Sequence, residues 1–229
     1  MNPEADSLRK GLTTPRAAGI AGIIFSLLFI ASMLLIRTSV PANPLAPLAA
    51  ADAVRHSRRI SLAINVLPFA GIAFLWFVGV LRDRLGALED RFFATVFFGS
   101  ALLFLATLFA AASVAGAVVR LLLSGAGNVI GESAFALARI QIYQALHIYT
   151  IKMAGVFMIS TSTISLRTGI VPRWMAFLGF ALALVLLLSV GTIQSILLVF
   201  PLWVLVISLH ILIDNLRGTS QSAAASAPQ

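Results

Sequence analysis

The sequence predicts an all-α integral membrane protein, a helical bundle of six transmembrane helices, and three observations carry that prediction. Of 229 residues, 60% are hydrophobic and 10% charged, whereas about a quarter of residues are charged in soluble domains. The mean hydropathy is +1.02, and the apolar residues fall in runs of about 20, enough helix to cross roughly 30 Å of hydrocarbon. Lys and Arg collect at the ends of those runs, where orientation signals belong. One bundle over residues 16–217 is expected, between disordered cytoplasmic tails at 1–15 and 218–229.

Met1 to Pro15 is polar, carries Arg9 and Lys10, and shows no periodicity. Helix 1 follows from Ala17 to Ile36. It is longer than the 7 to 15 residues of a signal-peptide core and runs into Arg37, with no small-residue cleavage site, so it is expected to stay attached. Ala18 and Gly22 form a small-xxx-small pair suited to close helix approach. The segment SVPANPLAP has three prolines and is read as a non-helical connection. Helix 2 extends from Leu48 to Arg82, with Arg55, His56, Arg58 and Arg59 in its first third and Pro68 inside it, where a kink is expected. A mixed-charge loop, RDRLGALEDR, leads into helix 3, Phe92 to Leu123, apolar until Arg120. The glycine-rich turn GAGNVIG precedes helix 4, Glu132 to Arg167, which Gly169 and Pro172 end. Helix 5 covers Trp174 to Val190, and helix 6 runs from Ile196 to Leu216 with Pro201 early in it. The remaining GTSQSAAASAPQ is of low complexity.

Charge bias orients the bundle. With both termini cytoplasmic, the inner side holds Arg9, Lys10, Arg16, Arg82, Arg84, Arg91, Arg167, Arg173 and Arg217, and the loops after helices 3 and 5 hold no Lys or Arg. A bacterial cytoplasmic membrane is the expected location. The first outer connection is the exception, with Arg37, Arg55, Arg58 and Arg59. Counting about 20 residues inward from Arg82, Arg91 and Arg167 leaves about 11 to 15 residues over on the outer ends of helices 2, 3 and 4. These three helices are therefore expected to be long and to project about 15 to 20 Å beyond the bilayer core as a small helical cap.

Helix 4 carries most of the polar chemistry. Arg139, Tyr143, His147 and Thr150 recur at steps of four or three and share a face. With Arg55, Arg58, Arg59 and Arg120 they make a basic outer cluster, set against Asp52 and Glu132. That cluster is read either as a vestibule for an anion, phosphate headgroup or acidic partner, or as a solvated cap whose arginines lie along apolar surface. Lys152 falls inside the outer leaflet with no carboxylate at its depth. It lines a path, binds an anion or loses its proton, or else snorkels to the headgroups. Ser160, Thr161, Ser162, Thr163 and Ser165 form a hydroxyl run that either packs or lines a passage. His210 and Asp214, four apart, make a boundary ion pair or a proton relay.

Several classes are set aside. The net charge of +8 reflects the ends of apolar runs, so nucleic acid is not an expected partner. There is no cysteine, which removes disulfides and thiolate chemistry. The three His residues lie in three helices without ligand spacing, no carboxylates pair at one depth, and no glycine loop has a phosphate-binding pattern. An enzyme is therefore not expected, and neither is a metal or cofactor.

The run LPFAGIAFLWFVGVLRDRLGALEDRFFATVFFGSALLF, Leu67 to Phe104, resembles a pattern in uncharacterised six-span bacterial membrane proteins. The resemblance implies a bacterial membrane and no activity. The leading functional expectation is binding or passage of a small anionic or polar solute through the basic outer vestibule near Lys152. The alternative is a non-transporting accessory or scaffold subunit whose cap docks a partner protein or lipid headgroups. Membrane lipid and further copies of the chain are the other expected partners.

Overall fold

A computed structural model describes residues 15–38, 50–85, 91–124, 131–169, 171–189 and 194–225. The long elements are α1 (Pro15–Arg37), α2 (Ala50–Leu85), α3 (Arg91–Leu123), α4 (Glu132–Gln144), α5 (Ile151–Thr168), α6 (Arg173–Leu188) and α7 (Val199–Ala225). A π-helical turn, Ala145–Thr150, joins α4 to α5, and a 3-10 turn, Gln194–Leu198, leads into α7. No strand occurs among the described residues. Five stretches are long and apolar enough to cross a membrane: Arg16–Arg37, His56–Arg82, Phe92–Leu121, Glu132–Arg167 and Ser195–Arg217. A sixth apolar helix, Arg173–Leu188, has 16 residues. This is the build of a multi-pass membrane protein.

The stretch read as helix 4 is continuous in space, but its middle is wound as a π turn. Its end follows the sequence: Gly169 takes φ 68°, the left-handed conformation glycine adopts without strain, and its N–H donates to Ser165 O at 2.9 Å. α7 extends to Ala225, past the boundary read at Leu216. The proline-rich connection at 39–47, most of the glycine-rich turn and the first 14 residues lie outside the described residues.

The first and last helices run antiparallel, as contacts at both ends show. Arg16 Nε donates to Asn215 Oδ1 at 2.9 Å and Arg37 Nη1 to Ser195 Oγ at 2.9 Å, tying α1 to the last helical stretch at both ends. Between those ties the two helices nearly touch. A Cβ on Gly22 would sit 2.0 Å from Ser208 Oγ, and one on Gly19 would sit 3.0 Å from Ser208 O. Gly22 of the small pair read from the sequence thus lies at a close crossing, with Gly19 beside it there, and Ala18 is buried. α5 and α6 meet in the same way, with Gly155 against Leu187 and Gly179 against Ser162.

The centre of the bundle is aromatic. Phe25 and Phe29 of α1, Phe74 of α2, Phe104 of α3, Phe157 of α5 and Phe200 of α7 are each at most 2% exposed. Their rings interlock: Phe25 to Phe74 at 4.8 Å, Phe74 to Phe104 at 5.2 Å, Phe74 to Phe157 at 5.3 Å, and Phe104 to Phe200 at 4.8 Å. Tilted and edge-on arrangements at these spacings add attraction beyond buried area. At one end of the bundle Arg82 lies over the Phe98 ring at 5.1 Å and Arg167 over Phe93 at 4.7 Å.

Candidate functional site

Lys152 is engaged by main chain. Its ammonium donates to Leu186 O at 3.3 Å, to Leu187 O, and to Ser189 O at 2.7 Å, three carbonyls at the C-terminus of α6. That helix is short. Sixteen residues span about 24 Å, short of the roughly 30 Å of hydrocarbon. A helix ending inside lipid strands its last carbonyls, which no water can satisfy. An ammonium has three N–H groups and the charge that a helix C-terminus attracts, and Lys152 brings both from the neighbouring helix. The ammonium is met by a helix end and not by a carboxylate.

One turn toward the N-terminus, the π turn orders the polar face of the stretch read as helix 4. Thr150 Oγ1 lies 2.8 Å from Ala145 O, five residues back, and 2.9 Å from Thr107 Oγ1 of α3. Thr107 in turn donates to Leu103 O at 2.9 Å. The wider turn places Thr150 against α3 and turns His147 inward, where it is 6% exposed. The His147 ring stacks on Tyr143, with centroids 4.3 Å apart and planes 14° apart, and its Nδ1 is 3.3 Å from Tyr143 O. The tautomer protonated at Nδ1 donates to that carbonyl. Nε2 is then a buried acceptor with no hydrogen-bond partner among the described residues.

The arginines lie higher. Arg58, Arg59 and Arg120 are exposed and Arg139 is half-buried. A Cβ on Gly116 would sit 3.7 Å from Ile64, so Arg120, one turn on, is level with Ile60 and beside Arg59 in height. From the Thr107 and Thr150 pair, Arg120 and Arg139 stand about 13 and 11 residues on along antiparallel neighbours, about 15 to 20 Å up. Arg58, Arg59, Arg120 and Arg139 thus share a level, while Lys152 is separate from them. Arg55 belongs to α2, its side chain lying outside those described.

The hydroxyl run of α5 is mostly bonded back to its own helix. Ser160, Thr161 and Thr163 return their hydroxyls to the carbonyls one turn earlier at 2.8 to 3.0 Å. Ser162 makes no such bond: its Oγ and Trp203 Nε1 are both buried against Gly179, without partners among the described residues. His210 is half-buried and Asp214 exposed, one turn apart on α7. No three His, Cys, Asp or Glu side chains come together as a metal site among the described residues.

Sequence reasoning missed two partners, Thr107 for Thr150 and the α6 carbonyls for Lys152. A lone threonine in an apolar helix gave no signal. The shortness of α6 was a usable one, since a helix too short for its bilayer needs its carbonyls met. No family model, curated protein or solved structure matches this chain.

Proposed function

We propose that the chain is a six-span membrane protein of a bacterial cytoplasmic membrane, both termini cytoplasmic, that acts as a non-transporting scaffold and presents a basic three-helix cap at its outer face. The observation that carries this reading is the phenylalanine layer. Six rings from five helices fill the middle of the bundle, where a conduit would need a hydrated passage. Lys152, the residue on which a solute path would depend, has all three of its N–H groups matched to carbonyls. Passage would require it to abandon a helix end in lipid.

Helix lengths measured from that layer support the cap. Arg16, Arg82 and Arg167 lie about 12 to 15 Å from it on one side, close to half a hydrocarbon core. On the other side α1 reaches Arg37 after about 12 Å, whereas α3 continues to Leu123 at about 28 Å and α2 and α4 to about 36 Å. Tyr149, 58% exposed, falls near the boundary at which interfacial aromatics anchor.

Reconstitution into sealed liposomes tests the reading. Efflux of chloride and of inorganic phosphate is expected to match that of empty vesicles. Saturable efflux of either ion, lost in Lys152→Met, overturns it.

A further inference from the structure

We infer that Arg58, Arg59 and Arg120 form a collar that binds the phosphates of anionic lipid headgroups in the leaflet on the cap side, an assignment that rests on the cap reading above. Three features lead to it. The side chains are exposed and share a height, because Gly116 of α3 abuts Ile64 of α2 one turn below. Counted along α2 from Phe74 and along α3 from Phe104, that height is about 22 to 24 Å from the phenylalanine layer. A bilayer with its headgroups is about 40 to 45 Å thick, so its polar surface lies about 20 to 22 Å from the midplane. Guanidinium groups at this level, on stems that reach several ångströms, meet phosphates before they meet bulk water.

The surroundings favour lipid over a water-borne acid. Leu62, Leu121 and Leu137 are exposed at 55%, 42% and 65% around the same level. Exposed leucine beside arginine suits an interface with acyl and glycerol groups below and phosphate above. Asp52 and Glu132 are the acids at this end of helices α2 to α4, against Arg55, Arg58, Arg59, Arg120 and Arg139, so the balance of charge there is positive. A guanidinium fork also fits two phosphate oxygens at once.

The chain has no cysteine, which makes the test clean. The full protein is placed in nanodiscs containing phosphatidylcholine and a phosphatidylglycerol analogue carrying a photoreactive headgroup, and crosslinked peptides are mapped by mass spectrometry. Crosslinks are expected in the stretches holding Arg58, Arg59 and Arg120. They should fall about tenfold or more in the triple variant Arg58→Gln, Arg59→Gln, Arg120→Gln, since each cation near an anionic surface is worth about 1 kcal/mol. Unchanged thermal stability of that variant in detergent keeps the comparison valid. If it is destabilised, the single variants Arg58→Gln and Arg120→Gln are each expected to give a partial loss.

Equal crosslinking by a photoreactive phosphatidylcholine, or crosslinks that survive the triple variant, overturns the collar. So does competition by millimolar inorganic phosphate or glycerol phosphate, which would make the site one for a soluble anion. Labelling of Glu132→Cys by a membrane-impermeant maleimide separates the two readings. A reactive cysteine with no lipid crosslink defeats the collar alone, and an unreactive one defeats the cap beneath it.

Discussion

The Nζ of Lys152 stands 2.7 Å from the carbonyl oxygen of Ser189, across the gap between α5 and the end of α6. Together with the Leu186 and Leu187 carbonyls, it makes the lysine a cap donated by one helix to another. A charge that is costly in hydrocarbon thereby offsets a second cost, the open end of a short helix.

Lys152→Met should therefore lower stability by about 2 to 3 kcal/mol, the scale of charged hydrogen bonds lost with their acceptors left buried. Lys152→Arg, which keeps charge and donors, should lose less. Thermal unfolding in detergent micelles reads both, and a stable Lys152→Met protein would mean that the carbonyls find other partners.

Gly22→Ala should destabilise by about 1 to 3 kcal/mol, because the added Cβ would meet Ser208 Oγ at 2.0 Å. Adding Ser208→Ala removes that oxygen and should recover part of the loss. The same logic holds for Gly179→Ala with Ser162→Ala, where the clash distance is 2.1 Å. A double-mutant cycle of denaturation midpoints measures the coupling.

Phe74→Ala should cost about 3 to 5 kcal/mol, since the ring is fully buried and touches four other phenylalanines of the layer. The variant should remain tight to chloride in liposomes, because the surrounding rings stay in place. A leak confined to Phe74→Ala would mean that a single side chain plugs a passage.

Thr150→Val removes the hydroxyl that meets both Ala145 O and Thr107 Oγ1. Hydrogen exchange of the amides across residues 145–150 should rise several-fold, the change expected when about 1 kcal/mol of hydrogen bonding is lost. Unchanged exchange would show that the π turn does not depend on this threonine.

The apolar runs and the charges that end them made the helices legible, because hydrocarbon thickness sets a minimum length that most of the apolar runs meet. Gly169 and Gly22 were readable for a different reason: a missing side chain has one local consequence. What pairs across helices was not readable. The partner of Lys152 is a set of backbone carbonyls, and any residue supplies those. The π turn at Ala145–Thr150 brings Thr150 to Thr107 of another helix, a pairing that no period in the sequence encodes. Arg58, Arg59 and Arg120 stand out in the sequence as a basic set, but their common height emerges only from the Gly116 and Ile64 contact.

A cysteine-accessibility scan along α5 in reconstituted membranes tests the closed bundle most directly. Met153→Cys, Phe157→Cys, Ser160→Cys and Ile164→Cys are exposed in turn to a small, charged thiosulfonate. The account predicts that none is modified at a rate above the unfolded-protein background, since these positions face packed helices or lipid. Rapid modification recurring every three or four residues would reveal a water-filled path past Lys152 and contradict it.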